Sequence, residues 1–274
     1  MYKICSNLHT HTVYSDGIST AEEYVLAAIE KGFVSIGFSE HSHTPYDTTC
    51  CVSKEDMPRY FAEIRRLKEA YQGRIEVFLG LEGDYYYPTP VNEVDYFIGS
   101  VHYLRDEKTG SYYTVDYKPA IFEEAVHVVA GGSARRLVEL YYGLVIDLVR
   151  NQKPDIVGHL DLITKLNRNG RYFDTGSGWY RDATEQAVEE IAAAGCVVEL
   201  NTGGMFRGYT DQPYPSLDIL RRLRERSVPV TISSDAHSAD GLDYWFEDAE
   251  ELLRQAGFQS VVRMERGSFV EIGL

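Results

Sequence analysis

The 274-residue sequence predicts an α/β fold, a distorted (β/α)7 TIM-like barrel with its working residues at the C-terminal ends of the strands. Three observations lead there. Seven short apolar runs recur along the chain, at residues 3–8, 34–39, 75–81, 95–101, 154–158, 196–200 and 228–234. Amphipathic stretches separate them, so strands and helices alternate as a parallel sheet requires. Each run also ends on a polar or metal-ligand residue type: His9-Thr10-His11, Glu40-His41, Glu82, His102, His159, Asn201 and Asp235-Ala236-His237. Parallel strands that close on themselves bring all such ends to one mouth. Seven strands are one short of the regular eight, so the barrel is expected to be distorted or incompletely closed. An open doubly wound sheet is the competing architecture, but it would gather function at one switch point instead of after nearly every strand.

The helices follow from spacing and punctuation. Ser19-Thr20-Ala21-Glu22 has the Ser-x-x-Glu form of a capping box, and Tyr24, Val25, Ala28 and Ile29 then recur at helical spacing up to Gly32. Similar stretches lie at about 54–72, 119–130, 133–150, 182–194, 215–226 and 241–256, several closed by Gly73, Gly195 or Gly257. Segments 41–58, 103–118, 160–181 and 202–214 are long for connections that usually take ~2–6 residues, and they are expected to build a pocket rim. They carry Tyr46, Tyr103, Tyr112, Tyr113, Tyr117, Tyr172, Trp179, Tyr180, Phe206 and Tyr209, an aromatic lining suited to a small polar organic ligand. No flexible linker, repeat or low-complexity tract interrupts the chain, so residues 1–274 are expected to form one domain.

Composition narrows the function classes. A net charge of −15 argues against nucleic acid or an anionic membrane as partner, although a locally positive site could still hold a phosphate. Cys5, Cys50, Cys51 and Cys196 have neither disulfide nor zinc-finger spacing and are expected to be reduced thiols. The N-terminus, from Met1-Tyr2-Lys3 onward, has no basic segment followed by a long apolar one, and no run of ~18 apolar residues occurs. A soluble, cytoplasmic protein is expected.

A lone His-x-His pair is weak evidence of a metal site, and combination is what decides. Asp16 follows His9 and His11 in Tyr14-Ser15-Asp16-Gly17, and His41, Glu82, His102, His159, Asp235 and His237 complete a set of nine ligand types. Only His43 and His127 among the eight histidines fall elsewhere. Nine ligands exceed what one ion with open positions can use, so two or three divalent ions are expected. Imidazole and carboxylate without thiolate suit Zn, Mn or Fe, whereas Mg and Ca prefer fewer imidazoles. Three such ions against three carboxylates leave a strongly positive site in an acidic protein, and a small phosphate ester fits there. Arg207 and Lys165, on loops after strand ends, are the candidates for gripping phosphate oxygens, with Arg168 and Arg105 weaker ones. His43 is a candidate proton donor, and His127 on a helical segment is expected to be structural.

His9-Thr10-His11-Thr12 through Ser15-Asp16-Gly17, Glu40-His41, Glu82, Ser100-Val101-His102, Gly158-His159 and Ser234-Asp235-Ala236-His237 resemble the successive motifs of the PHP (polymerase and histidinol phosphatase) superfamily. Gly158-His159-Leu160-Asp161-Leu162-Ile163-Thr164-Lys165, Glu199-Leu200-Asn201-Thr202-Gly203-Gly204 and Tyr214-Pro215-Ser216 are most similar to its histidinol-phosphate phosphatases. The resemblance implies a trinuclear site: His9, His11, Glu82 and Asp235 for the first ion, Glu82 bridging to a second with His102 and His159, and Asp16, His41 and His237 for the third. Some members carry His near Asp16, and many have Asp where Glu40 stands. It also implies hydrolysis of L-histidinol phosphate in histidine biosynthesis, through attack of a metal-bridging hydroxide on phosphorus. Asp84 and the aromatic rim would then recognise the ammonium and imidazole. The alternative within the same chemistry is another phosphate ester: a phosphotyrosine protein, a nucleotide bisphosphate or a sugar or alcohol phosphate.

Overall fold

Burial on both faces is what makes the seven apolar runs strands, because helices cover the outside of the sheet and the strands' own side chains fill its inside. The computed structural model describes residues 3–87 and 89–274; Met1 and Tyr2, where the segment expected to carry no leader begins, lie outside them, as does Pro88. In chain order the elements are β1 (Ser6–Asn7), α1 (Ala21–Glu30), β2 (Ser35–His41), α2 (Met57–Ala70), β3 (Glu76–Asp84), β4 (Tyr96–Ser100), β5 (Tyr103–Arg105), β6 (Tyr112–Thr114), α3 (Pro119–Val128) and α4 (Ala134–Asp147). They continue with β7 (Ile156–Val157), α5 (Gly178–Ala194), β8 (Val197–Asn201), α6 (Gly203–Phe206), α7 (Leu217–Glu225), β9 (Val230–Ser233), α8 (Phe246–Ala256), β10 (Ser260–Glu265) and β11 (Ser268–Gly273).

Seven strands pair in the order β1-β2-β3-β4-β7-β8-β9, every pair parallel. The seam between β9 and β1 is closed only at the C-terminal mouth. There a parallel bridge joins Thr10 and Ala236, with the His11 N–H donating to the Ala236 carbonyl at 2.8 Å. Below it a side chain substitutes for backbone pairing: Asn7 Nδ2 donates to Ser234 Oγ at 2.6 Å and to the Leu242 carbonyl at 2.9 Å. This is the distorted, near-closed barrel expected from a strand count of seven.

The barrel floor is apolar. Leu8, Phe78, Tyr96, Ile98, Ile156, Val197 and Met264 are buried in one inner cluster. The Tyr96 ring lies across the interior and its hydroxyl donates to the Leu8 carbonyl. Gly80 makes room for it, since a Cβ there would stand 2.3 Å from the ring.

Three features differ from the sequence reading. The capping box sits one residue later: Thr20 is the N-cap and exchanges hydrogen bonds with Glu23, not Ser19 with Glu22. Two antiparallel hairpins, β5–β6 on the rim and β10–β11 under the floor, were not anticipated. Val262, Met264 and Phe269 of the second hairpin pack on the floor cluster, and Ser35 Oγ donates to the Met264 carbonyl at 2.9 Å. Finally, Trp179 and Tyr180 start α5 instead of the rim, with the buried Tyr180 hydroxyl 3.1 Å from that of Tyr142. Among the described residues no helix is long and apolar enough to cross a membrane. The four cysteines are reduced thiols, with the Cys50 and Cys51 sulfurs 3.7 Å apart.

Candidate metal centre

Strand parity sets the site above the floor. On β3, Phe78 and Gly80 face inward at the floor, so Glu82 two residues on faces inward at the mouth. His9 and His11 reach the same space although β1 ends at Asn7; they flank the Thr10–Ala236 bridge instead of lying on a regular strand. His41 ends β2, His102 and His159 follow β4 and β7, and Asp235 and His237 follow β9. Asp235 has φ of 45°, a left-handed backbone that a non-glycine residue adopts at some cost and that is concentrated at functional sites.

Glu82 is the centre of the arrangement, buried and contacted on both oxygens. Oε1 lies 2.9 Å from His159 Nε2 and 3.3 Å from His102 Nε2, and accepts from Ser100 Oγ at 2.6 Å. Oε2 lies 2.8 Å from His41 Nδ1, 3.3 Å from His9 Nε2 and 3.6 Å from His11 Nε2. Asp235 Oδ1 is 3.2 Å from His11 Nε2 and 3.8 Å from His9 Nε2. Asp16 Oδ1 is 3.3 Å from His237 Nε2 and 3.8 Å from His41 Nε2. Two ligands of one ion, each ~2.1 Å from it, stand about 3.0–3.5 Å apart, and four of these nine imidazole–carboxylate spacings fall in that range, with the other five between 2.8 and 3.8 Å.

Three sets emerge with ligand atoms close enough to share an ion: His9, His11 and Asp235; His41, Glu82 and His102; and His11, Asp16, His41 and His237. His9 Nε2, His11 Nε2 and Glu82 Oε2 are buried and have no hydrogen-bond partner among the described residues. Buried polar atoms converging without partners are costly unless a cation satisfies them, so the donor set fits divalent metal.

The electrostatics agree. Burial tends to raise the Glu82 carboxyl, but His9, His41 and His102 outweigh it and hold the group well below the usual range. Burial likewise opposes ionisation of Asp235, and Arg207 followed by His9 overcomes it. His11 moves the other way, down to about 3, through burial and the nearby His41 and His237. Burial works to lower His41, but the Glu82 carboxylate raises it to about 9.

Other expected residues take up various positions. Arg207 reaches the cluster, donating to Asp235 Oδ2 at 2.9 Å and to the Asp235 carbonyl at 2.7 Å. Lys165 is turned to Asp116, which accepts from Nζ at 2.8 Å, and stands 4.7 Å over the Tyr209 ring. Arg168 is mostly exposed near Asp211, and Arg105 lies over the Tyr112 ring on the rim. His43 lines a separate recess of about 360 Å³ with Ser42, Lys54, Phe61 and Arg65. His127 is on the exposed side of α3.

Asp84 is engaged inside the protein. It accepts from the His102 backbone N–H at 2.9 Å and from Tyr46 at 2.6 Å and lies 3.6 Å from His102 Nδ1, so it backs a candidate ligand and fixes a rim tyrosine. Glu40 points away from the centre and accepts from Thr12 N–H at 3.0 Å, Thr12 Oγ1 at 2.6 Å and Ser15 Oγ. It thereby holds the loop that delivers Asp16. Gly17 closes that loop onto His11, where a Cβ would stand 2.1 Å from the His11 carbonyl.

Sequence reasoning missed Glu199. Its Oε2 lies 2.8 Å from His9 Nδ1, and its Oε1 accepts from the His159 N–H at 2.7 Å and Asn201 Nδ2 at 2.8 Å. A carboxylate on the far ring nitrogen fixes the tautomer that leaves Nε2 free as a ligand. The available signal was parity, since Glu199 shares a strand face with Asn201 at the mouth.

The PHP domain family profile matches residues 7–203. The chain is 31% identical to a protein named "Probable histidinol-phosphatase" from Deinococcus radiodurans, over 97% of this chain and 98% of that one. It is 28% identical to the histidinol-phosphatase of Bacillus subtilis, over 90% and 98% respectively. In fold it matches the Lactococcus lactis histidinol phosphate phosphatase, solved as a complex with zinc, L-histidinol and phosphate. The TM-score is 0.71 at 22% identity, over 97% of this chain and 98% of that one.

Proposed function

The chain belongs to the PHP domain family, and on that premise we propose that it hydrolyses L-histidinol phosphate to L-histidinol and inorganic phosphate as a metal-dependent phosphomonoesterase. One observation carries the chemistry: a buried carboxylate, Glu82, faces five imidazoles, and the ligand atoms His9 Nε2 and His11 Nε2 beside its Oε2 have no hydrogen-bond partner among the described residues. His9, His11, Glu82 and Asp235 would hold the first ion, Glu82, His102 and His159 the second, and Asp16, His41 and His237 the third. When bound, two or three Zn, Mn or Fe ions supply a deprotonated water for in-line attack and offset charge on the phosphoryl oxygens.

The protein's own groups do the rest. Glu199 and Asp84 orient His9 and His102, and Ser100 fixes one oxygen of Glu82. Arg207 holds Asp235 through its carboxylate and its carbonyl and lies 2.7 Å from His237 Nδ1, which keeps a guanidinium charge beside the metal ligands for a phosphate oxygen. Lys165 is paired with Asp116 and would reach a phosphate oxygen only on leaving it. Residues 1–274 act as one cytoplasmic catalytic domain whose partner is a small phosphate ester and whose acidic surface repels nucleic acid.

The test is phosphate release from L-histidinol phosphate by protein reloaded with Mn or Zn, beside a panel of nucleotide bisphosphate, phosphotyrosine peptide and sugar phosphates. Expected are preference for L-histidinol phosphate, loss on chelation and loss in the His9→Ala, His11→Ala double variant. Stronger turnover of another panel member overturns the substrate, and normal turnover by the double variant overturns the metal site.

A further inference from the structure

The loop between β2 and α2 carries two adjacent thiols that the chemistry above does not use. Cys50 and Cys51 are both half-buried, and their sulfurs lie 3.7 Å apart. Small molecules in solvent therefore have access to the pair, and each sulfur is within reach of the other.

The same loop is fastened to the metal centre at three points. Its base is closed by the Val52 N–H, one residue after Cys51, which donates to the His41 carbonyl at 3.0 Å. Tyr103 donates to Asp47 Oδ2 at 2.7 Å, and Tyr46 donates at 2.6 Å to Asp84 Oδ1, whose other oxygen accepts from the His102 N–H. Inside the loop Thr44 Oγ1 donates to the Asp47 carbonyl at 2.9 Å and stands 3.6 Å from Cys51 Sγ. Cys50 is close enough to His41 for their charges to interact. A change of backbone at residues 50 and 51 thus reaches His41 through one residue and one hydrogen bond.

Joining these two sulfurs requires such a change. Neighbouring Cα atoms are ~3.8 Å apart across a trans peptide, whereas those linked by a disulfide usually stand about 4.4–6.8 Å apart. A bond between Cys50 and Cys51 therefore forces the peptide between them to turn, and the Val52 N–H is carried with it. Strain of this kind makes a disulfide easy to reduce, which is the property of a reversible bond and not of a structural one.

We propose that the Cys50–Cys51 pair is an oxidation site: a hydroperoxide closes it to a vicinal disulfide, a small thiol reopens it, and the closed form loosens the hold of His41 on its ion. The inference rests on the reading of His41 as a metal ligand. One sulfur, as thiolate, attacks the peroxide; the O–O bond breaks, leaving a sulfenic acid and one water. The second sulfur attacks the sulfenic sulfur, the S–O bond breaks, and a second water leaves. The two thiols give up two protons and two electrons, and the peroxide is reduced to two waters. Two equivalents of thiol reverse the change by exchange and are themselves oxidised to a disulfide.

The test treats the metal-loaded full chain with hydrogen peroxide and maps its thiols by alkylation and mass spectrometry. Expected are loss of two hydrogens, loss of alkylation at Cys50 and Cys51 with Cys5 and Cys196 unchanged, and recovery in dithiothreitol. In chelator competition the oxidised form is expected to retain metal about tenfold less tightly than the reduced one. The Cys50→Ser, Cys51→Ser double variant is expected to keep the basal metal affinity and lose the response. Cys50 and Cys51 that stay open to alkylation, a disulfide that leaves chelator competition unchanged, or a peroxide response that persists in the double variant overturns the inference. Chelator competition needs no substrate, so poor turnover of L-histidinol phosphate beside redox-dependent metal retention supports the inference and overturns only the substrate reading.

Discussion

The two halves of the barrel interior are built on the same strands and do opposite things. At the floor, Phe78, Tyr96, Ile98 and Met264 fill the space and leave no polar demand beyond the Tyr96 hydroxyl, which the Leu8 carbonyl meets. At the mouth, one strand period higher, Glu82, Ser100 and Glu199 replace the apolar side chains, and several buried ligand atoms go without protein partners. The floor is satisfied by itself, whereas the mouth is satisfied only with cations in place. Folding and chemistry are therefore stacked along one axis, and perturbations of the two layers should have separable readouts.

The largest effect belongs to Glu82→Gln. Removing the bridging charge between the proposed metal positions is expected to cut turnover by about 10³-fold or more. Thermal stability of the metal-free protein should fall, because the His9, His41 and His102 imidazoles lose the buried carboxylate they are paired with. Turnover within tenfold of the parent would show that Glu82 does not bridge.

Next in size is pH. With His41 raised to about 9 by Glu82, the metal-free protein holds that proton below this value, and metal must displace it. Affinity is therefore expected to rise by about tenfold or more per unit from pH 6 to pH 8 in chelator competition. The dependence from this group ends above its folded pKa. A flat profile would place His41 outside the ligand set.

Glu199→Gln should be milder. Losing the carboxylate behind His9 is expected to cost about 10–100-fold in metal affinity, as measured by competition, while the fold is retained. An unchanged affinity would make Glu199 a structural group alone.

Smallest is the floor. Gly80→Ala drives a methyl into the Tyr96 ring, and a loss of about 1–3 kcal/mol in denaturant unfolding is expected with metal stoichiometry unchanged. Loss of metal at unchanged stability would contradict the separation of the layers.

The same layering explains what could be read from the sequence. The strands were legible because two-sided burial makes them continuous apolar runs, and the candidate ligands because polar residues then interrupt those runs at a fixed end. Glu199 escaped because it lies inside its strand instead of after it. The β10–β11 hairpin escaped because its residues are half exposed and no uninterrupted apolar run marks it. The capping box was displaced because both Ser19 and Thr20 stand three residues before a glutamate, and only geometry selects Thr20. Lys165 was named from loop position and Asp84 from the family resemblance, and neither fixes the hydrogen-bond partner that the side chain finds.

The most direct measurement is anomalous diffraction at the metal edge from crystals of the full chain grown with manganese or zinc. The account predicts anomalous peaks on both sides of Glu82, one toward His9, His11 and Asp235 and the other toward His102 and His159. Peaks confined to other regions of the molecule, or full metal loading with none within coordination distance of Glu82, would contradict it.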